Sequence, residues 1–391
     1  IVGQLYPRTD IRRDGAYTIF YMGINTGSFF GVMIAGYLGE RFGWSYGFGA
    51  AGIGMLVGLL VFVLGKPLLM GKGEAPEPAK LKQRVAGVPF EWLLYGIGLA
   101  AVGVLWALIQ LQEIVGWMLL FAGVALLLYM AWVAFTKLSR DDRDRILVII
   151  FLLALQPVFW GLFEQAGASV NLFTDRHVDK NFFGFDIPTT WFQSVNSVFI
   201  ITLGPVFAWL WVKLAKKRIE PSTPAKFGLG IVQVGLGFLV LVWGTQAMGI
   251  DTPTSMWLIV ALYLLHSTGE LCLSPVGLSA MNRLGPWHMG GLIMGAWFFA
   301  TAGGNFVAGQ VSAMTGAENA ESGEAAKELY LQIWSNIGWI AVAIGVGVLL
   351  VSPFIKKLMH LDTLRDDNMM AGEPELAEPQ AAGINTGGET R

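Results

Sequence analysis

The sequence predicts an all-α polytopic membrane protein, and three observations carry the prediction. Of its 391 residues only 14% are charged while 54% are hydrophobic, with a mean hydropathy of +0.57; soluble domains carry roughly 25% charged residues. The apolar residues gather into runs long enough to cross a hydrocarbon core of about 30 Å. The basic residues fall between the runs, on alternate loops.

Ten spans follow in order: 15–38, 44–65, 89–109, 114–136, 146–166, 189–212, 227–247, 255–275, 289–313 and 332–354. The first carries an amide, Asn25, among apolar neighbours, and the second is a Gly-rich apolar run. A polar, Pro-containing linker, 66–88, precedes the third and fourth spans, and a charged stretch separates the fourth from the fifth. The fifth ends in Phe159-Trp160-Gly161-Leu162-Phe163-Glu164-Gln165, and the sixth opens on Gln193-Ser194-Val195-Asn196. The seventh is apolar throughout, and the eighth contains His266, Glu270 and Pro275. The ninth holds a small-residue pattern, Gly291, Gly295, Gly303, Gly304 and Ala308, suited to close helix contact. The tenth precedes an acidic stretch, 366–391, whose composition predicts disorder. Fifteen Trp and 50 Gly suit membrane helices, with aromatics at the interfaces and glycines at the contacts.

Placing the first loop in the cytoplasm and alternating sends Arg41, Arg176, Lys180 and Lys327 to one side and the rest of the 26 Lys and Arg residues to the other. By the positive-inside rule the crowded side is cytoplasmic, so both ends of the chain are expected there. A net charge of −2 leaves no basic surface for nucleic acid. Cys272 is the single cysteine, which excludes an intrachain disulfide and a Cys-based zinc site. His-Glu-x-x-His, Gly-x-Ser-x-Gly and P-loop patterns are absent, so the sequence offers no catalytic residues, no metal site and no cofactor.

Acids inside spans normally face a cavity or a partner. Glu164 and Glu270 are two such acids, each flanked by apolar residues. The bland reading is a snorkelling or interfacial carboxylate; the functional one is a site acid that binds and releases a proton during a transport cycle. Asn25 and Asn196 read equally as interhelical glue or as ligand contacts. His266, one turn before Glu270, is more simply a buried histidine than a proton relay. Pro275 cannot donate to the Leu271 carbonyl and is expected to kink its helix.

Five motifs carry a family resemblance. Phe20-Tyr21-Met22-Gly23-Ile24-Asn25-Thr26-Gly27-Ser28 resembles the fifth-helix signature of the proton-dependent oligopeptide transporter family. The segments 159–167 and 193–196 are similar to its seventh- and eighth-helix motifs. Gly269-Glu270-Leu271-Cys272-Leu273-Ser274-Pro275 resembles the tenth, and Met294-Gly295-Ala296-Trp297-Phe298-Phe299 the eleventh. The resemblance implies the major facilitator fold, two six-helix bundles around a central site. By this register the chain holds helices 5–6 (1–65), a linker with two inserted helices (66–145), helices 7–12 in a C-terminal bundle (146–358) and a cytoplasmic tail (359–391). It would lack helices one to four, with their Glu-x-x-Glu-Arg-Phe-x-Tyr-Tyr motif and lysine. The resemblance further implies a proton-coupled symporter of di- and tripeptides, in a bacterial inner membrane, with protons as the coupling ion. Glu164 would be the proton-linked acid. Glu270, Asn25 and Asn196 would hold the peptide amino terminus, Trp297 would line the pocket, and Thr301 would stand where the family places a small polar residue. A relative acting on another small anion or amino-acid conjugate, an intramembrane enzyme and a nonfunctional partial polypeptide are the rival readings.

Overall fold

A computed structural model describes residues 13–72, 78–85, 87–316 and 323–361, residues 13–22 by backbone alone. The expected acidic stretch 366–391 and the segment before Arg13 lie outside the described residues. Besides a five-residue helix at Pro78–Lys82, eleven longer helices organise the described residues: α1 Arg13–Phe42, α2 Trp44–Gly65, α3 Phe90–Gln110, α4 Gln112–Lys137, α5 Arg140–Phe163, α6 Ser169–His177, α7 Ser194–Lys216, α8 Thr223–Met248, α9 Met256–Leu284, α10 Gly290–Met314 and α11 Glu324–Leu358. Among the described residues nine segments are long and apolar enough to cross a bilayer. The remaining expected span, 15–38, falls within α1, a helix of 30 residues.

The helix ends extend past the apolar runs where polar residues cap them. Helix α5 starts at Arg140, six residues before the hydrophobic run, because Ser139 accepts a hydrogen bond from the Asp142 amide at 3.3 Å. Asp141 and Asp142 in its first turn also suit the positive end of the helix dipole. Helix α11 begins eight residues before its run. The added turns bury Lys327, whose ammonium donates to the Ile250 and Thr252 carbonyls at 3.2 and 2.6 Å. Helix α9 runs without interruption through Pro275, so one missing N–H is absorbed rather than ending the element. Among the described residues strand is confined to three two-residue pairs in the connections.

The core lies among α5, α6, α8, α9, α10 and α11, where Phe159, Phe173, Phe238, Tyr330 and Trp334 are fully buried. Bare backbone brings these helices together. A methyl group added at Gly235 would meet the Gly338 carbonyl at 2.7 Å, and one at Gly228 would meet the Gly345 carbonyl at 2.8 Å. These two pairs hold α8 against α11. Gly230 and Gly269 do the same for α8 and α9, with a Cβ at either meeting the other's carbonyl at 2.8–2.9 Å. The small-residue pattern of α10 is used only in part. Gly304 abuts Trp160 and Gly161 of α5, whereas Gly291 and Gly295 face open space. Helix α3 buries no residue and α2 buries only Gly47, leaving apolar surfaces of the kind that lipid covers.

Helices α1 and α7 are antiparallel and joined near one end. Glu40 accepts hydrogen bonds from the Thr189 and Thr190 amides at 2.9 and 2.8 Å. The Trp191 indole N–H donates to the Met33 carbonyl at 3.0 Å, and Arg41 donates to the Asp186 carbonyl at 3.4 Å. Asp186 lines an open, polar cavity of about 520 Å³ together with Arg176, Lys180 and Lys327. The four basic residues of the sparse side therefore gather at one end of the molecule. At α5's N-terminus Arg145 donates to the Met359 and His360 carbonyls at 3.3 and 2.9 Å, tying the chain after α11 to that end.

Candidate functional site

Glu164 sits where the fifth helix stops being α-helical. A 3-10 turn, Glu164–Gly167, separates α5 from α6. The break is held by Gln165, which is fully buried. Its side-chain amide donates to the Gly161 and Ala308 carbonyls, both at 2.9 Å, and its carbonyl oxygen accepts from Ser169 Oγ at 2.6 Å. Trp334 Nε1 then donates to Ser169 Oγ at 3.1 Å. This chain of buried bonds joins α5, α6, α10 and α11, and every polar group of Gln165 and Ser169 takes part. Such fully paired networks fix their neighbours firmly in an apolar surround. The fixed neighbour here is Glu164, which is partly buried.

Glu270 is positioned from the other direction. The Gly230–Gly269 contact sets α9 directly against α8 one residue before it. Its carboxylate Oε2 accepts from Asn196 Nδ2 of α7 at 3.0 Å, and the same nitrogen donates to Ser267 Oγ at 2.9 Å. Glu164 lies close enough for its charge to act on Glu270. The structure thus brings together three of the sequence's candidates: Glu164, Glu270 and Asn196.

Three others stand apart or are placed by register. Asn25 is partly buried on α1. The pairing of Met33 with Trp191 and Glu40 with Thr189–Thr190 runs antiparallel, which carries Asn25 towards the level of Asn196. Trp297 is 3% exposed, its ring set against Gly277 and edge-on to Phe227 with centroids 6.4 Å apart. Gly277 is seven residues beyond Glu270, about 10 Å along the helix. The Thr301 hydroxyl donates to the Trp297 carbonyl at 3.1 Å, within its own helix. His266 packs between Phe163 and Phe238 over Gly237 and interacts with the Val234 backbone, though neither ring nitrogen makes a well-directed hydrogen bond. Its burial matches the simpler reading, while the expected bond to a backbone carbonyl is not well formed.

Sequence reasoning missed Gln165, Ser267 and Glu40. Ser267 was signalled by its spacing, three residues before Glu270 and so on the same face. Gln165 carried a weaker signal, an amide beside a membrane acid. Nothing in the sequence around Glu40 sets it apart from other acids.

The helices and the buried acid–amide group define a polytopic helical membrane protein with a polar site enclosed between its spans. The sequence model of the POT family matches residues 1–329, and the chain belongs to that family. It is 40% identical over 333 residues to the Peptide transporter YePEPT of Yersinia enterocolitica subsp. palearctica, a match covering 80% of this chain and 63% of that protein. The chain therefore spans less than two thirds of that relative's length. It is 29% identical over 374 residues to Dipeptide and tripeptide permease B of Yersinia enterocolitica, covering 94% of this chain and 73% of the permease. Among solved structures it resembles a mutant of a POT peptide transporter in complex with alafosfalin, with a TM-score of 0.75 at 30% identity, over 92% of this chain and 71% of that one. The fold is accordingly that of the major facilitator transporters.

Proposed function

We propose that this protein is a proton-coupled symporter that imports di- and tripeptides across a bacterial inner membrane by alternating access. The observation that carries the reading is the Asn196–Glu270 hydrogen bond within the membrane-spanning region, with Glu164 in electrostatic reach. The names of the similar proteins, a peptide transporter and a dipeptide and tripeptide permease, point the same way. A peptide's amino terminus is an ammonium with three donors and no acceptor. Glu270 and the amide oxygens of Asn196 and Asn25 supply acceptors for it, with charge-assisted bonds at the carboxylate. Trp297 and Thr301 complete the pocket in this reading.

Glu164 is the proton-linked acid. Symport in this reading requires that an ammonium arriving at Glu270 and a proton arriving at Glu164 be energetically linked. Each of the two access states must differ in affinity for these ligands, or neither gradient drives the other. In this reading the positive-inside count assigns the α1–α7 joint to the outer side.

The test is uptake of labelled dialanine into liposomes containing the reconstituted protein, with and without an imposed inward proton gradient. Gradient-dependent accumulation, suppressed by an unlabelled tripeptide, is the expected result. Folded protein that accumulates no dialanine under the gradient would refute the proposal.

A further inference from the structure

Ser267 plays no part in the reading above, yet it touches one of the groups on which that reading depends. It lies three residues before Glu270 on α9, so the two share a helix face. Its side chain is fully buried. Its Oγ is 2.9 Å from Asn196 Nδ2, and that nitrogen is 3.0 Å from Glu270 Oε2. A side-chain amide nitrogen carries two hydrogens, and both are directed at α9. A carboxylate can only accept, so an ionised Glu270 requires the nitrogen, not the oxygen, to face it. With Glu270 ionised, the amide orientation follows from this chemistry. Asn196 Oδ1 is then turned away from both partners; among the described residues no donor reaches it, and the atom is not sealed from solvent.

We propose that Ser267 is a positioning residue for ligand selection: by accepting the second amide hydrogen of Asn196, its hydroxyl locks the Asn196 carbonyl oxygen open beside Glu270, so that the site favours a free ammonium over a blocked amine. The proposal rests on the peptide-binding reading and names what makes the amino-terminal subsite selective. One hydrogen bond alone leaves the amide free to turn, because its terminal torsion is broad. Two bonds from one nitrogen to two groups on one helix fix the plane. The acceptor pair offered to the ligand, a carboxylate and an amide oxygen, suits a group with several donors. An acylated nitrogen has one donor and no charge, and it gains little from this arrangement.

The experiment uses the full chain in lipid nanodiscs and measures binding of dialanine and of N-acetyl-dialanine. The unsubstituted protein is expected to favour dialanine. Ser267→Ala removes one oxygen from a packed position and is expected to weaken dialanine binding about 2- to 10-fold, the effect of one lost hydrogen bond. N-acetyl-dialanine binding is expected to stay unchanged, so the preference shrinks. Ser267→Cys keeps the size and a weaker acceptor, and its preference is expected to fall between the two; it also serves if the alanine variant does not fold. Equal weakening of both ligands would mean a merely structural serine and would overturn the proposal. An undiminished preference for dialanine in either folded variant would overturn it as well. If the unsubstituted chain bound neither ligand, the peptide-binding reading would fall, and this inference with it.

Discussion

Replacing Glu40 with alanine is expected to loosen the joint between α1 and α7. The carboxylate accepts from two successive amides, Thr189 at 2.9 Å and Thr190 at 2.8 Å, at the start of the turn that leads into α7. The first N–H groups of a helical turn have no partner within it, and without Glu40 only water replaces the lost acceptor. A hydrogen bond to a charged group is worth about 1.5–3 kcal/mol when shielded. Glu40 is exposed, so solvent screening brings each bond down to about 1 kcal/mol. The pair then contributes about 2 kcal/mol, which is roughly a 30-fold change in the ratio of joined to separated states. The Trp191–Met33 and Arg41–Asp186 bonds remain, so the joint is weakened rather than abolished. Spin labels at Ser45 and Phe183, both exposed, report the separation across it. Cys272 is buried, and the unsubstituted protein serves as the labelling control. Glu40→Ala should shift the distance distribution towards longer values, with Glu40→Gln in between, since it keeps one acceptor oxygen. A distribution identical to that of the doubly labelled parent would show that the carboxylate does not hold the joint.

Three further outcomes are expected. Glu164→Gln should abolish proton-driven dialanine uptake while sparing counterflow exchange; equal loss of both would contradict the proton role. Gln165→Leu leaves the Ser169 hydroxyl without its acceptor and two carbonyls without their donor; at about 0.6–1.7 kcal/mol per membrane hydrogen bond, the melting temperature in detergent should fall by several degrees, and an unchanged one would remove the network from the account. Gly235→Val puts a branched side chain where a single methyl already lies 2.7 Å from the Gly338 carbonyl, so overpacking should cost about 1–3 kcal/mol, read as lower thermal stability, while Gly295→Val in open space should cost far less.

Much of the fold was legible because a bilayer imposes one length scale on every element. The span 44–65 matches α2 residue for residue. The misjudged boundaries share a cause. Lys327 and Tyr330 extend α11 into a region that hydropathy treats as loop, because a lysine that satisfies two carbonyls can be buried. Residues 164–177 were split between span and loop because a hydropathy window cannot see the turn that Gln165 stabilises. Of the site, Glu164 and Glu270 announced themselves as acids in apolar surroundings. The Asn196–Glu270 bond joins residues 74 apart in sequence, and no local pattern specifies that meeting. Trp297 and Thr301 came through resemblance alone, and in the structure they engage Gly277 and their own helix.

The bare-backbone contacts have a consequence for how this sequence can change. Gly228 and Gly235 on α8 stand seven residues apart and meet Gly345 and Gly338, equally spaced on α11. Two turns separate the contacts on each helix, so the pair is pinned at two points and cannot pivot about one. A methyl group at Gly228, Gly235 or Gly345 would force the partner to shift, and one at Gly338 would press at 3.1 Å on the Gly235 carbonyl and Leu239. In a saturation library these four codons should tolerate almost nothing, whereas those of Gly291, Gly295 and Gly309, which face open space, should vary freely. Substitution tolerance along the chain would then trace which helices travel as one piece, without any structure being solved in a second state.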